Sequence, residues 1–92
     1  EAVRRLTSMP AAMIGLKDRG RLAPGMRADI NVVDLANLSE RMPEIAHDFP
    51  NGAPRFIQKA LGYRVTVCNG AVILENDELT GARAGTVLRH RA

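Results

Sequence analysis

The side chains that could do chemistry are few, and they lie far apart in the sequence. The chain has two histidines, His47 and His90, and one cysteine, Cys68. Metal centres and nucleophilic sites are built from such residues at short, recurring spacings. Neither histidine has a second ligand at metal spacing, and neither Ser8 nor Ser39 has a histidine near it. The sequence therefore predicts no catalytic residue and no metal ligand in this chain.

Each of these residues has a simpler structural interpretation. His47 precedes Asp48 in a predicted loop, so we expect it to bond to the backbone or to Asp48. His90 stands between two arginines, whose positive charges disfavour a protonated or metal-bound imidazole. Cys68, as the single cysteine, forms no internal disulfide. We expect it to be a buried or half-buried structural thiol.

A pair of aspartates, Asp29 and Asp34, brackets a predicted strand. Paired carboxylates can do acid–base work, but the spacing of these two places them on opposite faces of the strand. We therefore expect a structural role for both, as ion-pair partners of Arg21 or Arg27.

Length and composition restrict the class of protein. At 92 residues the chain is at most one small domain. The net charge is +3, but no basic run is interleaved with aromatic side chains, so we expect no nucleic-acid partner. No stretch approaches the roughly 20 apolar residues of a membrane span, and the N-terminus lacks signal-peptide architecture. We therefore expect no membrane partner, a cytoplasmic location and, because the chain opens at Glu1 in a helix-like pattern, a piece of a longer protein.

The clearest local pattern is YRVTVCNGAVILEN at residues 63–76, which predicts a β-hairpin. Asn69-Gly70 is typical of a two-residue type I′ turn, in which both residues have positive φ. That turn predicts the pairs Cys68–Ala71, Val67–Val72, Thr66–Ile73, Val65–Leu74 and Arg64–Glu75. One face of the hairpin is then wholly apolar and needs a cover, because an isolated hairpin is marginally stable in water.

Upstream of the hairpin, the pattern predicts helix, turns and a strand. Glu1–Leu6 reads as amphipathic helix, and Ser8 is a plausible N-cap for a second helical segment that Gly15 closes. Pro24-Gly25 has the type II turn signature, after a short predicted strand at residues 21–23. Residues 28–35 predict a strand that is apolar on both faces and therefore covered on both sides.

The remaining segments are less regular. Residues 36–62 contain several prolines that forbid a long helix. We expect a loose helical turn around Leu38, Met42, Ile45 and Ala46, and a short helix over Arg55–Leu61. Residues 76–78 predict a turn, and residues 86–88 a last short strand.

The order of these motifs resembles the amidohydrolase superfamily. TSMPAAMIGL at residues 7–16 precedes GRLAPGMRAD at residues 20–29, which has the pattern G-x-x-x-P-G-x-x-A-D. In that superfamily a similar helix leaves the catalytic barrel, and a similar turn enters a small β-sandwich that ends in V-N-G hairpins. The later segments HDFPNGAPRFIQKALGY and ELTGARAGTVLR are similar to the C-terminal part of N-acyl-D-amino-acid deacylases. The chain departs from that family at Ala84, where Pro is commoner, and at Cys68, where Val or Leu is commoner.

The resemblance implies a mainly β fold with a short N-terminal helix. Residues 1–16 would link to an absent catalytic barrel. Residues 17–92 would form a small β-sandwich-like accessory domain, incomplete without N-terminal strands and with an irregular insertion at residues 36–62. The parent protein would be a zinc-dependent hydrolase of N-acyl-D-amino acids, with zinc in its barrel and no cofactor in this chain. The insertion would reach the active-site mouth or a second copy of the protein, with Arg55 as the candidate anion-binding side chain.

Two other functions remain open from the sequence. The parent amidohydrolase could act on a hydantoin, a cyclic imide or a dipeptide, which only barrel residues would distinguish. Alternatively, the chain could be a free-standing basic β interaction module. The lack of aromatic stacking residues disfavours a single-strand nucleic-acid binder.

Overall fold

The computed structural model describes residues 1–89 and confirms a mainly β fold with short helices at the N-terminus. Helix α1 spans Ala2–Leu6 and α2 spans Ser8–Met13, and a single 3₁₀ turn covers Pro50–Gly52. The strands are β1 Ile30–Val33, β2 Ser39–Glu40, β3 Glu44–Ala46, β4 Arg55–Ile57, β5 Ala60–Leu61, β6 Tyr63–Cys68, β7 Ala71–Glu75 and β8 Glu78–Leu79.

The two helices meet at a sharp kink. Thr7 has φ −126° and ψ −79° and is the N-cap of α2, so the predicted cap at Ser8 is wrong by one residue. The Thr7 hydroxyl instead donates a hydrogen bond to the Val3 carbonyl at 2.7 Å, which closes α1. As predicted, Gly15 ends the helical segment with φ +80°. Ala11 of α2 is buried against the turn at Gly20, where an added Cβ would lie only 2.8 Å from the Ala11 Cβ.

Four antiparallel strands form the main sheet, in the order β1-β6-β7-β8. The turn at its centre is the predicted one, with φ +50° at Asn69 and +83° at Gly70. A second two-residue turn at Asn76 and Asp77, with φ of +49° and +67°, joins β7 to β8. The prediction of a hairpin and of a following turn is therefore confirmed.

The predicted pairing register holds only next to the first turn. Cys68–Ala71 and Val67–Val72 pair as expected, but Thr66 then pairs with Leu74 rather than with Ile73. The predicted pairs of Val65 with Leu74 and of Arg64 with Glu75 are likewise wrong by one residue. The cause is a β-bulge that leaves one extra residue on β7.

The bulge follows from how the two ends of the hairpin are fixed. One end is set by the Asn69-Gly70 turn. At the other end, the Asp77 carboxylate accepts hydrogen bonds from the backbone N–H of Gly62 at 3.2 Å and of Tyr63 at 2.8 Å. The Asp77 N–H also donates to the Tyr63 carbonyl at 3.0 Å. Between these two fixed points the chain has six residues on the β6 side, 63–68, and seven on the β7 side, 71–77, and the bulge absorbs the extra one.

Strand β1 pairs antiparallel with β6, with Ile30 opposite Val67 and Val32 opposite Val65. The strand is shorter than the predicted residues 28–35. Within the described residues its valines are not covered, since Val32 is 50% and Val33 37% exposed, and Leu35, which follows the strand, is 79% exposed.

Residues 39–61 form one bent antiparallel hairpin, which we call the arm. Strand β2 pairs with β5, and β3 pairs with β4 beyond a kink. The predicted helical turn around residues 38–46 and the predicted helix at residues 55–61 are therefore wrong. Pro43 interrupts helical hydrogen bonding in the first of these segments, and Ile45, Phe56 and Ile57 are residue types that favour paired strands.

The base of the arm closes on one glycine. Gly62 is buried with φ +100°, and an added Cβ would lie 2.7 Å from the Leu38 Cα. The Gly62 carbonyl accepts a hydrogen bond from the Asp34 N–H at 2.8 Å. Only a residue without a side chain fits here, so Gly62 sets the angle at which the arm leaves the sheet.

Two predicted strands, at residues 21–23 and 86–88, are not formed, and both segments are irregular. Within residues 1–89, Ala11 is the one buried hydrophobic residue, and the apolar side chains of α1 and most of those of the arm are exposed. The described residues therefore make a well-bonded sheet with little core of its own.

We predict that Gly62→Ala destabilises the fold more than Gly81→Ala. Both glycines have similar positive φ, +100° and +89°, so both substitutions carry about 1–3 kcal/mol of backbone strain. Only at Gly62 does the new Cβ overlap a neighbouring backbone, which adds about 1–3 kcal/mol. Urea unfolding of both variants measures the difference. Equal midpoints would show that the close approach to Leu38 does not matter.

Candidate functional site

The described residues contain no cluster that resembles a catalytic centre. No group of three or more His, Cys, Asp or Glu side chains within residues 1–89 is arranged to hold a metal ion. In the same range, no helix has the length and apolar character that crossing a bilayer requires. His90 lies outside the described residues. What the structure does show is three groups of charged side chains, each of which fixes a turn.

Two of the residues singled out from the sequence have the surroundings expected of them. The His47 Nδ1 lies 3.0 Å from the Gly52 carbonyl oxygen, which is the backbone contact expected of a loop histidine. Cys68 is a free, half-buried thiol at the end of β6. Neither has an acidic or basic side chain among its hydrogen-bond partners within residues 1–89.

The first group, which we call the clasp, holds the Asn69-Gly70 turn. The Asp29 carboxylate accepts a hydrogen bond from the Asn69 N–H at 2.8 Å. Arg27 Nη1 donates to the Asn69 Oδ1 at 2.9 Å, and the Gly70 N–H donates to the Ala28 carbonyl at 3.1 Å. Residues that are forty positions apart are thereby joined at both the side chain and the backbone of Asn69.

Further ion pairs hold the clasp itself in place. Arg19 contacts Asp18 at 2.9 Å and Asp29 at 3.3 Å, and its side chain is only 20% exposed. Arg27 also pairs with Asp18 at 3.1 Å, and this hydrogen bond holds the pKa of the Asp18 carboxyl below its usual value. The expectation that Asp29 would pair with Arg21 or Arg27 is therefore wrong, because the turn before β1 brings Arg19 against it.

The second group lies at the base of the arm. Asp34 accepts hydrogen bonds from the Asn37 side chain at 2.7 Å and from Arg64 Nη2 at 2.8 Å, which together lower the pKa of its carboxyl. Its predicted partners, Arg21 and Arg27, are replaced by Arg64 because β6 runs alongside β1. With the Asp77 bonds to Gly62 and Tyr63, this group fixes where the arm begins and ends.

The third group is at the tip of the arm and contains Arg55. Its guanidinium makes two parallel hydrogen bonds to Asp48, at 2.6 and 2.5 Å, and lies 5.6 Å from the centre of the Phe49 ring. The pair lowers the pKa of Asp48 and raises that of Arg55. The charge of Arg55 is therefore balanced within the arm, while Phe49 and Phe56 beside it are exposed.

The sequence motifs agree with what comparison with known proteins finds. The chain belongs to the amidohydrolase family, whose sequence model matches residues 1–74. That range includes the clasp and the whole arm. No solved structure matches the chain.

The individual relatives are bacterial enzymes. The chain is 32% identical over 91 residues to D-aminoacylase of Alcaligenes xylosoxydans xylosoxydans, an alignment that covers 99% of this chain and 17% of that protein. It is 33% identical over 90 residues to N-acyl-D-glutamate deacylase of the same organism, covering 88% of this chain and 18% of that protein. Over 40 residues it is 50% identical to imidazolonepropionase of Paracoccus denitrificans, covering 44% of this chain and 10% of that protein. The chain thus spans less than a fifth of the length of these relatives.

The clasp is the feature that reading the sequence missed. The A-D turn and the N-G hairpin are both visible as motifs, but nothing in the sequence around either one indicates that Asp29 bonds to Asn69. The usable signal is the turn itself: the backbone N–H of a residue at positive φ in a tight turn points outward and needs an acceptor. An aspartate at the start of the neighbouring strand supplies it.

Acid should destabilise the fold through Asp34 and Asp48. Their pKa values are lowered in the folded chain, so each carboxylate contributes stability above the pKa of an unfolded Asp, about 3.9. That contribution is lost as the pH falls through the lower, folded pKa. We therefore expect a nearly constant urea midpoint from neutral pH to about pH 5 and a decline below about pH 4.

Asp34→Asn should flatten this acid decline, whereas Glu44→Gln is the matched control, since Glu44 makes no ion pair within residues 1–89. Arg64, Arg55 and Asp48 are about half exposed and the Asp34 side chain is 26% exposed, so solvent reaches both pairs and added salt should weaken the effect. A decline of the same steepness in Asp34→Asn as in the unmodified protein would contradict the role given to Asp34.

Proposed function

We propose that this chain is the C-terminal, non-catalytic portion of a metal-dependent amidohydrolase that converts N-acyl-D-amino acids into a carboxylate and a D-amino acid. The observation that carries the proposal is the alignment with a D-aminoacylase over 99% of the chain. The second deacylase relative, over 88% of the chain, supports the same substrate class.

Zinc, on this proposal, belongs to the catalytic barrel. A bound zinc ion activates water and polarises the amide carbonyl, which requires three or more protein ligands and an open position. Residues 1–89 offer no such donor set. No step of the hydrolysis is therefore assigned to a side chain of this chain, whose contribution is structural.

The proposed structural role follows from the exposed apolar side chains. Residues 1–16, with Val3, Leu6, Met13 and Ile14 exposed, would pack against the barrel and link it to the accessory domain. Residues 17–92 would form that domain together with strands from the N-terminal part of the protein, which would cover the uncovered face of β1. Burying one of these exposed apolar side chains would contribute about 1.5–3 kcal/mol of stability. We therefore expect these side chains to pack against the rest of the protein. A second copy of the protein is the other candidate cover, and a cytoplasmic location fits either one.

The arm, at residues 39–61, is the segment we propose for functional contact. Hardly any side chain of the arm is buried. Paired strands as short as these are not stable without a supporting surface. Its tip combines two exposed aromatic rings with the Asp48–Arg55 pair. We propose that the tip lies at the mouth of the barrel, where Arg55 faces the carboxylate of the substrate or an acidic side chain.

One observation supports a second candidate, an amidohydrolase with a different class of substrate. The relatives named imidazolonepropionase reach 50% and 45% identity, but over 40 residues only. A match confined to 44% of the chain fits the structural motifs that the family shares. We therefore rank a cyclic-imide, hydantoin or dipeptide substrate second. A free-standing basic interaction module is the third candidate.

The full-length protein is expected to hydrolyse N-acetyl-D-amino acids and not their L-enantiomers, and to lose this activity on chelation and regain it with zinc. The 92-residue chain alone, supplied with zinc, should give no hydrolysis. Release of the free amino acid, followed with a ninhydrin-type reagent and a chiral separation, measures both.

A substrate panel distinguishes the alternatives. Turnover of a hydantoin, a dipeptide or imidazolonepropionate with no turnover of N-acetyl-D-amino acids would overturn the deacylase proposal but keep the amidohydrolase. Metal-dependent turnover by the 92-residue chain alone would overturn the non-catalytic role. Salt-dependent retardation of DNA by the protein would favour the interaction module.

If Arg55 faces an anion in the assembled enzyme, Arg55→Ala should raise KM or lower kcat/KM by about 10-fold or more, the usual cost of one charged hydrogen bond. Arg41→Ala is the control, because Arg41 is also an exposed arginine of the arm and makes no ion pair within residues 1–89. Steady-state kinetics of both variants test this. Indistinguishable kinetics for the two variants would limit Arg55 to its bond with Asp48.

A further inference from the structure

Two Asn-Gly dipeptides occupy tight turns in this chain, and the structure holds them in different ways. In such a dipeptide the backbone nitrogen of Gly can attack the side-chain amide carbon of Asn, because no Cβ on the second residue hinders the approach. The nitrogen gives up its proton to a solvent base, the new N–C bond closes a succinimide ring, and ammonia leaves. Water then opens the ring, which yields aspartate or isoaspartate.

Asn69-Gly70 is held against this reaction. The nitrogen that would attack is that of Gly70, and its N–H donates a hydrogen bond to the Ala28 carbonyl at 3.1 Å. The Asn69 side chain is held by Arg27 at 2.9 Å, and its backbone N–H by Asp29 at 2.8 Å. All three partners lie on the segment that leads into β1. Ring closure at Asn69 therefore requires the clasp and the end of the main sheet to open.

Asn51-Gly52 has only local restraints. The Gly52 N–H donates to the Phe49 carbonyl at 3.0 Å, within the same turn. The Asn51 side chain makes no hydrogen bond to any described residue, and both residues are exposed with positive φ, +59° and +68°. A single turn at the tip of a hairpin opens far more readily than a sheet junction.

From this contrast we infer that Asn51 is a site of spontaneous deamidation and isoaspartate formation, and that the clasp protects Asn69 from the same reaction. The modification matters because the arm is balanced in charge, with Glu40, Glu44 and Asp48 against Arg41, Arg55 and Lys59. A new carboxylate at residue 51 gives the arm a net negative charge. It also places a like charge close to Asp48 in the tip.

The test compares the two dipeptides within one molecule. The full-length protein that carries these residues is incubated in mildly alkaline buffer, once folded and once in concentrated urea. Cleavage after Lys and Arg places Asn51 in the peptide of residues 42–55 and Asn69 in that of residues 65–83. Tandem mass spectrometry then locates the mass gain, and isoaspartate methyltransferase with labelled methyl donor detects the isomer.

In urea both sites should convert at similar rates, since both are Asn-Gly. In the folded protein Asn51 should convert at least about 10-fold faster than Asn69, because opening the clasp requires breaking hydrogen bonds to charged groups. Equal rates in the folded protein, or conversion of Asn69 first, would overturn the proposal. Protection of Asn51 in the folded protein, with normal conversion in urea, would overturn it too.

Two variants separate the local chemistry from general unfolding. Gly52→Ala adds a Cβ that meets no neighbour but carries about 1–3 kcal/mol of backbone strain at φ +68°, and it should slow conversion at Asn51 without affecting Asn69. Asp29→Ala removes the acceptor of the Asn69 N–H and should accelerate conversion at Asn69, whereas Asp29→Asn keeps an oxygen acceptor and should accelerate it less. If Asp29→Ala does not change the rate at Asn69, the clasp is not what protects it.

Discussion

The hydrogen bond from the Asn69 N–H to the Asp29 carboxylate is the contact on which the arrangement of the sheet depends. It joins the turn that precedes β1 to the turn that ends β6, and the Arg27 and Ala28 contacts lie directly beside it. Because β1 adds to the sheet through β6 alone, the registration of that pair needs an anchor at one end. The charged acceptor provides it, since hydrogen bonds to ionised groups are stronger than those between neutral groups. The A-D and N-G motifs of this chain are thus two halves of one structural unit.

A second anchor determines the position of the arm. Asp77 holds the backbone of Gly62 and Tyr63, Asp34 bonds to the Gly62 carbonyl, and Gly62 itself admits the backbone of Leu38. The arm therefore emerges from a rigid base even though its own side chains are mostly exposed. A segment with a fixed base and exposed side chains is suited to contact a second surface, which is the role proposed for the arm.

The sequence predicts those features correctly that depend on neighbouring residues. It does not predict the strand register and the ion pairs that depend on residues far apart in the chain. The Asn69-Gly70 turn, the Pro24-Gly25 turn and the helix end at Gly15 follow from residues that tolerate unusual φ, and all three are present. The register beyond Val67 failed because Asp77, outside the pattern, sets the other end of the hairpin. In the arm, the apolar spacing of residues 38–46 and 55–61 fits a helical turn or a strand equally well, and only the pairing of β3 with β4 distinguishes them. Nothing near Asp29 or Asp34 in the sequence identifies Arg19 and Arg64 as their partners.

The two edge strands of the main sheet, β1 and β8, differ in how much backbone they offer to a further strand. At one edge, β8 is two residues long and Gly81 follows soon after it, so it offers little backbone for another strand to pair with. At the other edge, β1 presents four residues with exposed Val32 and Val33. Beyond β1, additional strands would therefore have more backbone to pair with than beyond β8. If further strands of the protein complete this domain as proposed, they would join next to the residues that the clasp already holds in register.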